Sequence, residues 1–202
     1  FLTLVNLRYY VLHRRLLLID TFIFLIDLFL IPFKLLRFTN DDYNGSMIYG
    51  EISYYGLSKI LQKCELKPNS TFLDIGSGKG KAVFFSRLMF HLSSTGIEIN
   101  SRYICISKIL KQILFISKTA FKKKSFAQYH LPNCSVYLIV GTTFEDSDLN
   151  TLQRRLEQKN HEFFIISVSA PLDSQFFYIV ASFYVPCSWG FSQAFIQRKK
   201  PS

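Results

Sequence analysis

The sequence FLDIGSGKG at positions 72–80 restricts what this chain can fold into more than any other feature. The apolar run over residues 71–75 predicts a short buried strand that delivers Asp74 to its carboxyl end. A helix is predicted over residues 79–90. Glycine lets a ligand approach the backbone closely, and a helix begins with unbonded N–H groups, so the turn between them indicates a ligand site. That turn contains Gly76, Ser77, Gly78 and Gly80.

A second strand, over residues 94–99, is predicted to carry Glu98 at its end. A carboxylate there accepts hydrogen bonds from both ribose hydroxyls of an adenosine cofactor. A triphosphate loop is excluded, because Ile75 stands where it needs glycine and Ser or Thr does not follow Lys81. A dinucleotide loop would need its third glycine one place later than Gly80. The remaining pattern resembles motif I of class I methyltransferases, which implies S-adenosyl-L-methionine as cofactor.

Strand-like and helix-like segments alternate along the rest of the chain. Helices are predicted over residues 51–64, 79–90, 101–116 and 146–159, and strands over residues 71–75, 94–99, 135–140 and 163–168. Residues 176–198 predict two strands with a connection at 186–189. A third strand is expected within 118–130, although no clean apolar run occurs there. This order predicts an α/β fold with a Rossmann-like, mostly parallel seven-stranded sheet, an antiparallel last strand and helices on both faces.

A hydrophobic segment over residues 16–36 precedes the predicted domain. The polar stretch at 39–46 is typical of a linker, so we expect an N-terminal hydrophobic helix within residues 1–38 and a methyltransferase domain over 39–202. The segment approaches the ~20 residues that span a bilayer.

Two aspartates within this segment oppose simple membrane spanning. Asp20 and Asp27 are seven residues apart and therefore share one helical face. That spacing favours a helix lying in a membrane interface or packed against protein. Pro32 is expected to end or kink the helix.

The formal net charge of +10 suggests an acidic partner, which leaves an anionic membrane surface, nucleic acid and an acidic protein open. No cysteine or histidine spacing indicates a metal site or a disulfide framework. Reduced thiols are expected, and with them a cytoplasmic location, with membrane association through residues 16–36 as an additional expectation.

The chain resembles a known family at Tyr49-Gly50-Glu51, followed by a helix and FLDIGSGKGKAVFF. This combination is similar to the non-SET lysine methyltransferases, which include the histone enzymes named for disrupted telomeric silencing and the enzymes that methylate the ATP synthase c subunit. The resemblance implies that Tyr49 and Glu51 lie over the methionine end of the cofactor. It also implies that residues 74–80 cradle the amino-acid and ribose portions and that Glu98 holds the ribose.

The sequence departs from that family after the fourth strand, where the histone enzymes carry an Asn pair and this chain reads Gly141-Thr142-Thr143-Phe144. We expect Thr142 and Thr143 to orient an acceptor amine and Phe144, with Tyr49, to wall the pocket. The alternative is that these residues only begin a loop.

A second departure concerns the adenine ring of the cofactor. No Asp or Glu occurs between Ile99 and Phe144, so a backbone carbonyl or an amide such as Gln128 or Asn133 would hold the adenine amino group.

The function predicted from these features is S-adenosylmethionine-dependent methyl transfer, with lysine in a protein as the acceptor. Small-molecule, lipid and RNA acceptors remain alternatives, as does a degenerate module without activity. The partner expected first is a protein substrate, while nucleic acid stays open and the oligomeric state is not predicted.

Overall fold

The structure of the protein is a computed structural model that describes residues 2–36, 50–127, 129–140 and 144–199, without the side chains of residues 30–36. The helices are α1 Leu2–Leu12, α2 Arg14–Leu36, α3 Tyr54–Lys63, α4 Lys81–Phe90, α5 Ser101–Ile113 and α6 Asp146–Glu157. The strands are β1 Thr71–Ile75, β2 Ser93–Glu98, β3 Thr119–Lys123, β4 Val136–Ile139, β5 Phe164–Val168, β6 Phe177–Cys187 and β7 Gly190–Lys199.

The seven strands form one sheet in the order β3-β2-β1-β4-β5-β7-β6. Strands β1 to β5 pair with one another in parallel, whereas β7 runs antiparallel to both β5 and β6. The predicted α/β fold with a mostly parallel sheet and an antiparallel last strand is thereby confirmed. The strand order reverses beside β1, and in open α/β sheets ligands bind at the carboxyl ends of the strands at such a point.

Helices cover both faces of this sheet, as predicted. Alternate residues of β1 enter different apolar cores: Phe72 packs with α3, α4 and α5, while Leu73 packs on the other face with Leu152 and Leu156 of α6. The motif strand is therefore buried from both sides, which fixes the position of the turn that follows it.

Two helices begin later than the sequence suggested, for local reasons. α3 begins at Tyr54 because the Ser53 side chain caps it, accepting a hydrogen bond from Gly56 N at 2.9 Å. α4 begins at Lys81 because Gly80 adopts a left-handed conformation with φ 82°.

The expected third strand is β3, a short edge strand in which Lys122 and Lys123 are exposed. An edge strand with one solvated end has no continuous apolar run, and this explains why its sequence was uninformative.

The N-terminal segment forms two helices, α1 and α2, which meet at His13, instead of the single helix that was expected. Both pack on the domain: Tyr9, Leu16 and Ile19 belong to the same core as α3 and α4. The rings of Tyr9 and Phe85 meet edge to face at 5.6 Å. Of the two alternatives for this segment, packing against protein is observed for α2, while membrane association stays a prediction. The division of the chain near residue 38 stays a prediction.

Of the two expectations for Pro32, the helix end is wrong, because α2 continues through it to Leu36, and the kink stays a prediction. Over the residues that the structure describes, we find no helix with both the length and the apolar character needed to cross a membrane.

Candidate functional site

The glycine turn after β1 has the backbone shape that only glycine adopts without strain. Gly76, Gly78 and Gly80 have φ values of 82°, 50° and 82°. The amides of Gly76 and Ser77 both donate to the Ile97 carbonyl at 2.9 Å, which ties the turn to β2. A Cβ added at Gly76 would lie 3.1 Å from Phe144 Cζ. The absence of a side chain at Gly76 therefore leaves room for the Phe144 ring above the turn.

Glu98 lies at the end of β2, as predicted, and its carboxylate is already engaged by the backbone. Oε2 accepts a hydrogen bond from Gly78 N at 2.9 Å, and Oε1 accepts one from Asn100 N at 2.8 Å. These bonds fix the carboxylate against the glycine turn. Each oxygen keeps a further lone pair for a ligand hydroxyl.

A cavity of about 200 Å³ lies at the carboxyl ends of β1, β2 and β4. It brings together most of the described residues that the sequence nominated, namely Glu51, Asp74, Gly76, Ser77, Gly78, Glu98 and Phe144. Gly80 is not on the cavity wall. It lies where α4 begins and packs beneath the turn against Phe121, whose Cε1 would be 2.5 Å from a Cβ at this position.

Asp74 carries a buried carboxyl group on the wall of the cavity. This burial, together with the nearby charge of Glu98, raises the pKa of its carboxyl from 3.8 to about 8. Among the described residues no lysine or arginine forms an ion pair with it. The Ser77 hydroxyl is buried beside Gly96 and lacks a hydrogen-bond partner within the described part of the chain. The Asp74 carboxyl suits a ligand that brings a cation.

A buried ion-pair network borders this cavity and was not found from the sequence. Lys81 Nζ contacts Glu51 at 2.7 Å and Asp20 of α2 at 3.0 Å. Burial lowers the pKa of Lys81, but the two carboxylates outweigh it and the net shift is upward. Asp20 also accepts hydrogen bonds from the hydroxyls of Tyr10 and Tyr54, at 2.5 and 2.8 Å. The helix α2 thus helps to hold Glu51 at the cavity wall.

A second contact links α2 to the glycine turn. Lys79, between Gly78 and Gly80, forms an ion pair with Asp27 at 2.5 Å. Asp20 and Asp27, predicted to share one helical face, therefore both face lysines of the domain. The sequence indicates that aspartates lie in a largely apolar helix, but it does not show which residues pair with them.

Several predicted residues lie outside the described part of the chain: Tyr49, Thr142 and Thr143, and with them Gln128. Their roles stay predictions. Phe144 is described, and it lies on the cavity wall with its ring 4.9 Å from that of Phe126.

Asn133, the other candidate for the adenine site, lies away from the cavity. Its side chain accepts a hydrogen bond from Lys159 Nζ at 3.2 Å, just after the end of α6. Trp189 is 37% exposed and packs on Gly50, which lines the cavity beside Glu51. Asp148, in the first turn of α6, also lines the cavity.

The sheet order and the site at its switch point define the class I methyltransferase fold, and solved structures agree. TrmN from Thermus thermophilus superposes with a TM-score of 0.60 at 11% identity, covering 78% of this chain and 50% of that one. An RNA methyltransferase from Salinibacter ruber in complex with S-adenosyl-L-homocysteine gives a TM-score of 0.58 at 15% identity, covering 72% and 90%. At such identities the likeness concerns the fold alone.

Within that class the chain belongs to the family described as histone methylation protein DOT1, which matches residues 37–176. A histone-lysine N-methyltransferase, H3 lysine-79 specific, from Eremothecium gossypii is 31% identical over 130 residues, covering 56% of this chain and 22% of that protein. Its counterpart in Cryptococcus neoformans is 39% identical over 51 residues, covering 25% and 8%. The matches thus cover about a fifth or less of these relatives.

Proposed function

We propose that this protein is an S-adenosylmethionine-dependent methyltransferase whose acceptor is a lysine side chain of a protein. The cavity at the carboxyl ends of β1 and β2 carries the proposal, because it joins an uncompensated buried carboxylate, a glycine turn and Glu98. Membership of the DOT1 family and the lysine specificity in its relatives' names support lysine as the acceptor.

The residues of the cavity suit the cofactor part by part. Asp74, buried and without a cationic partner among the described residues, would take the α-ammonium group of the methionine portion. The glycine turn would border the same portion. The free lone pairs of Glu98 would accept the ribose hydroxyls. When bound, S-adenosylmethionine supplies a methyl group on a positively charged sulfur.

The chain's own contribution to transfer is alignment and control of the acceptor's charge. In-line attack requires an amine without its extra proton, held in one direction. The rings of Phe126 and Phe144 form an apolar wall, which disfavours the ammonium form and lowers the pKa of an entering lysine. Asp148 on the same cavity would attract the lysine before it loses its proton. The orienting roles of Thr142 and Thr143 are part of this proposal.

The proposal is tested by incubating the full chain with methyl-labelled S-adenosylmethionine and a cell lysate. We expect label in protein and methyllysine in its acid hydrolysate, identified by mass spectrometry. The site variant is Glu98→Gln, in which we expect transfer to fall at least about tenfold, the loss that follows from one charge-assisted hydrogen bond. The matched control is Glu65→Gln, the same exchange at a largely exposed side chain that forms an ion pair with Arg198.

The outcomes separate the parts of the proposal. Label found in RNA, lipid or small molecules instead of protein would mean that the acceptor class is wrong. Absence of S-adenosylhomocysteine binding by the folded chain would refute the proposed methyltransferase activity and favour a module without activity. An equal loss of methyl transfer in Glu65→Gln and Glu98→Gln would mean that Glu98 has no specific role in the site.

A further inference from the structure

The N-terminal helices expose an apolar surface on the side that faces away from the domain. On α1 this side carries Leu4, Leu7 and Val11, and on α2 it carries Phe24, Leu28 and Phe29; we call it the outer face. The spacings of three and four residues place Leu4, Leu7 and Val11 along one side of α1, whereas Phe24, Leu28 and Phe29 spread over a wider exposed arc of α2. Leu4 and Val11 are each 78% exposed, Phe24 64% and Phe29 72%. The opposite sides are the ones buried in the core.

The charges on this side of the helices are positive. Arg8, Arg14 and Arg15 are all exposed, and α1 contains no acidic residue. The two acidic residues of α2, Asp20 and Asp27, are turned to the other side, where each forms an ion pair with a lysine of the domain. The outer face therefore presents leucine, valine and phenylalanine flanked by arginine, and both aspartates of α2 are neutralised by lysines of the domain.

We propose that the outer face docks on an anionic lipid bilayer, with α1 and α2 lying along its surface. An apolar side flanked by arginines is the pattern of helices that bury one side in the interface of a membrane. The arginines attract anionic headgroups, and each contributes about a fivefold gain in partitioning near such a surface. The proposal concerns residues outside the cofactor cavity and does not depend on methyl transfer.

A second copy of the chain is the less favoured occupant on electrostatic grounds. Two outer faces brought together would place the same arginines opposite each other, and like charges across an interface cost affinity. A lipid surface supplies the opposite charge and an apolar layer at once.

The test is flotation of the full chain with phosphatidylcholine vesicles that contain about 30% phosphatidylglycerol, beside vesicles of phosphatidylcholine alone. We expect binding to the anionic vesicles, at least about tenfold weaker binding to the neutral ones, and release as salt rises to about 0.5 M. The double variant Arg8→Gln/Arg14→Gln should bind about 25-fold more weakly, from fivefold for each arginine. Its matched control is Lys67→Gln/Arg154→Gln, the same change of charge at exposed positions outside α1 and α2, with binding kept.

A second variant, Phe24→Ser/Phe29→Ser, tests the apolar part. It should keep the melting temperature and S-adenosylhomocysteine binding of the unchanged chain, because both rings are mostly exposed, yet lose vesicle binding. Failure of the folded, unchanged chain to float with anionic vesicles would overturn the proposal. So would equal loss in the matched control, or unchanged binding by the phenylalanine variant. A dimer in light scattering that this variant dissociates, without vesicle binding, would identify a second copy as the occupant.

Discussion

Binding of the cofactor should expel a proton from Asp74. Burial holds the pKa of this carboxyl at about 8 in the free protein, so at about pH 6.5 it is about 97% protonated. An α-ammonium placed beside it favours the charged form, and the proton leaves. The α-amino group of a free amino acid stays charged at that pH, because its own carboxylate favours the ammonium form. The net release is therefore close to one proton for each ligand bound, and it decreases as pH rises through about 8, where Asp74 loses its proton without the ligand.

The assay is calorimetric titration with S-adenosylhomocysteine, which carries the same α-amino group, in buffers of equal pH and different ionisation enthalpy. The slope of the observed enthalpy against the buffer enthalpy gives the number of protons released. Asp74→Asn, which keeps the shape of the side chain but has no titrating group, should release none at about pH 6.5. Tight binding by the unchanged chain with release below about 0.3 proton, or the same release in the variant, would refute the assignment of Asp74 to the amine.

The same pKa shift predicts how stability depends on pH. Between about pH 4 and pH 8 the folded protein holds the Asp74 proton that the unfolded chain has lost, so the free energy of unfolding should decrease as pH rises through this window. Above about pH 8 this contribution is constant. Urea unfolding of Asp74→Asn should show a flatter profile and a gain in stability at about pH 8.5. A variant that is less stable than the unchanged chain at that pH would contradict the sign.

Three further substitutions test the frame of the site. Glu98→Gln sets an amide N–H₂ against a backbone donor, and we expect an at least tenfold weaker affinity for S-adenosylhomocysteine by calorimetry, about 1.4 kcal/mol; unchanged affinity would exclude the ribose role. Asp20→Ala leaves Lys81 with one carboxylate, and urea unfolding should show a loss of about 3 kcal/mol; a loss below about 1 kcal/mol would mean that the pair contributes little. Gly76→Ala combines a left-handed φ with a Cβ 3.1 Å from Phe144, so we expect a fall of about 1–3 kcal/mol in stability and weaker ligand binding; normal binding would show that the phenylalanine yields.

The sequence was informative where the determining residues lie close together in the chain. The residues that specify the strand at Phe72, the glycine turn and the helix after it lie close together in the chain. Each glycine of the turn adopts a positive φ that favours glycine. The position of Glu98 could be predicted because a strand, a helix and a parallel strand follow one another over a regular length of chain. The second strand then ends beside the first, where the glycine turn begins. The fold class followed from the alternation of elements.

The sequence was uninformative where distant segments meet. The position of Asp20 fitted a membrane interface or packing against protein, and only the docking of α2 on the domain reveals Lys81 as its partner. Pro32 suggested a helix end by its missing N–H, yet α2 continues beyond it. The raised pKa of Asp74 required knowledge of its burial and of the approach of Glu98, neither of which spacing along the chain provides.

The position of β7 inside the sheet has a consequence for the way the protein is made. β7 lies between β5 and β6, so residues 190–199 fill a gap between strands that are synthesised earlier. Until those residues leave the ribosome, the nascent chain carries β5 with one unpaired edge and β6 without its partner strand. Unpaired edges invite association with other chains. Folding of this half of the sheet must therefore wait for the last strand, and ribosomes stalled before residue 190 should yield chains that depend on chaperones for solubility.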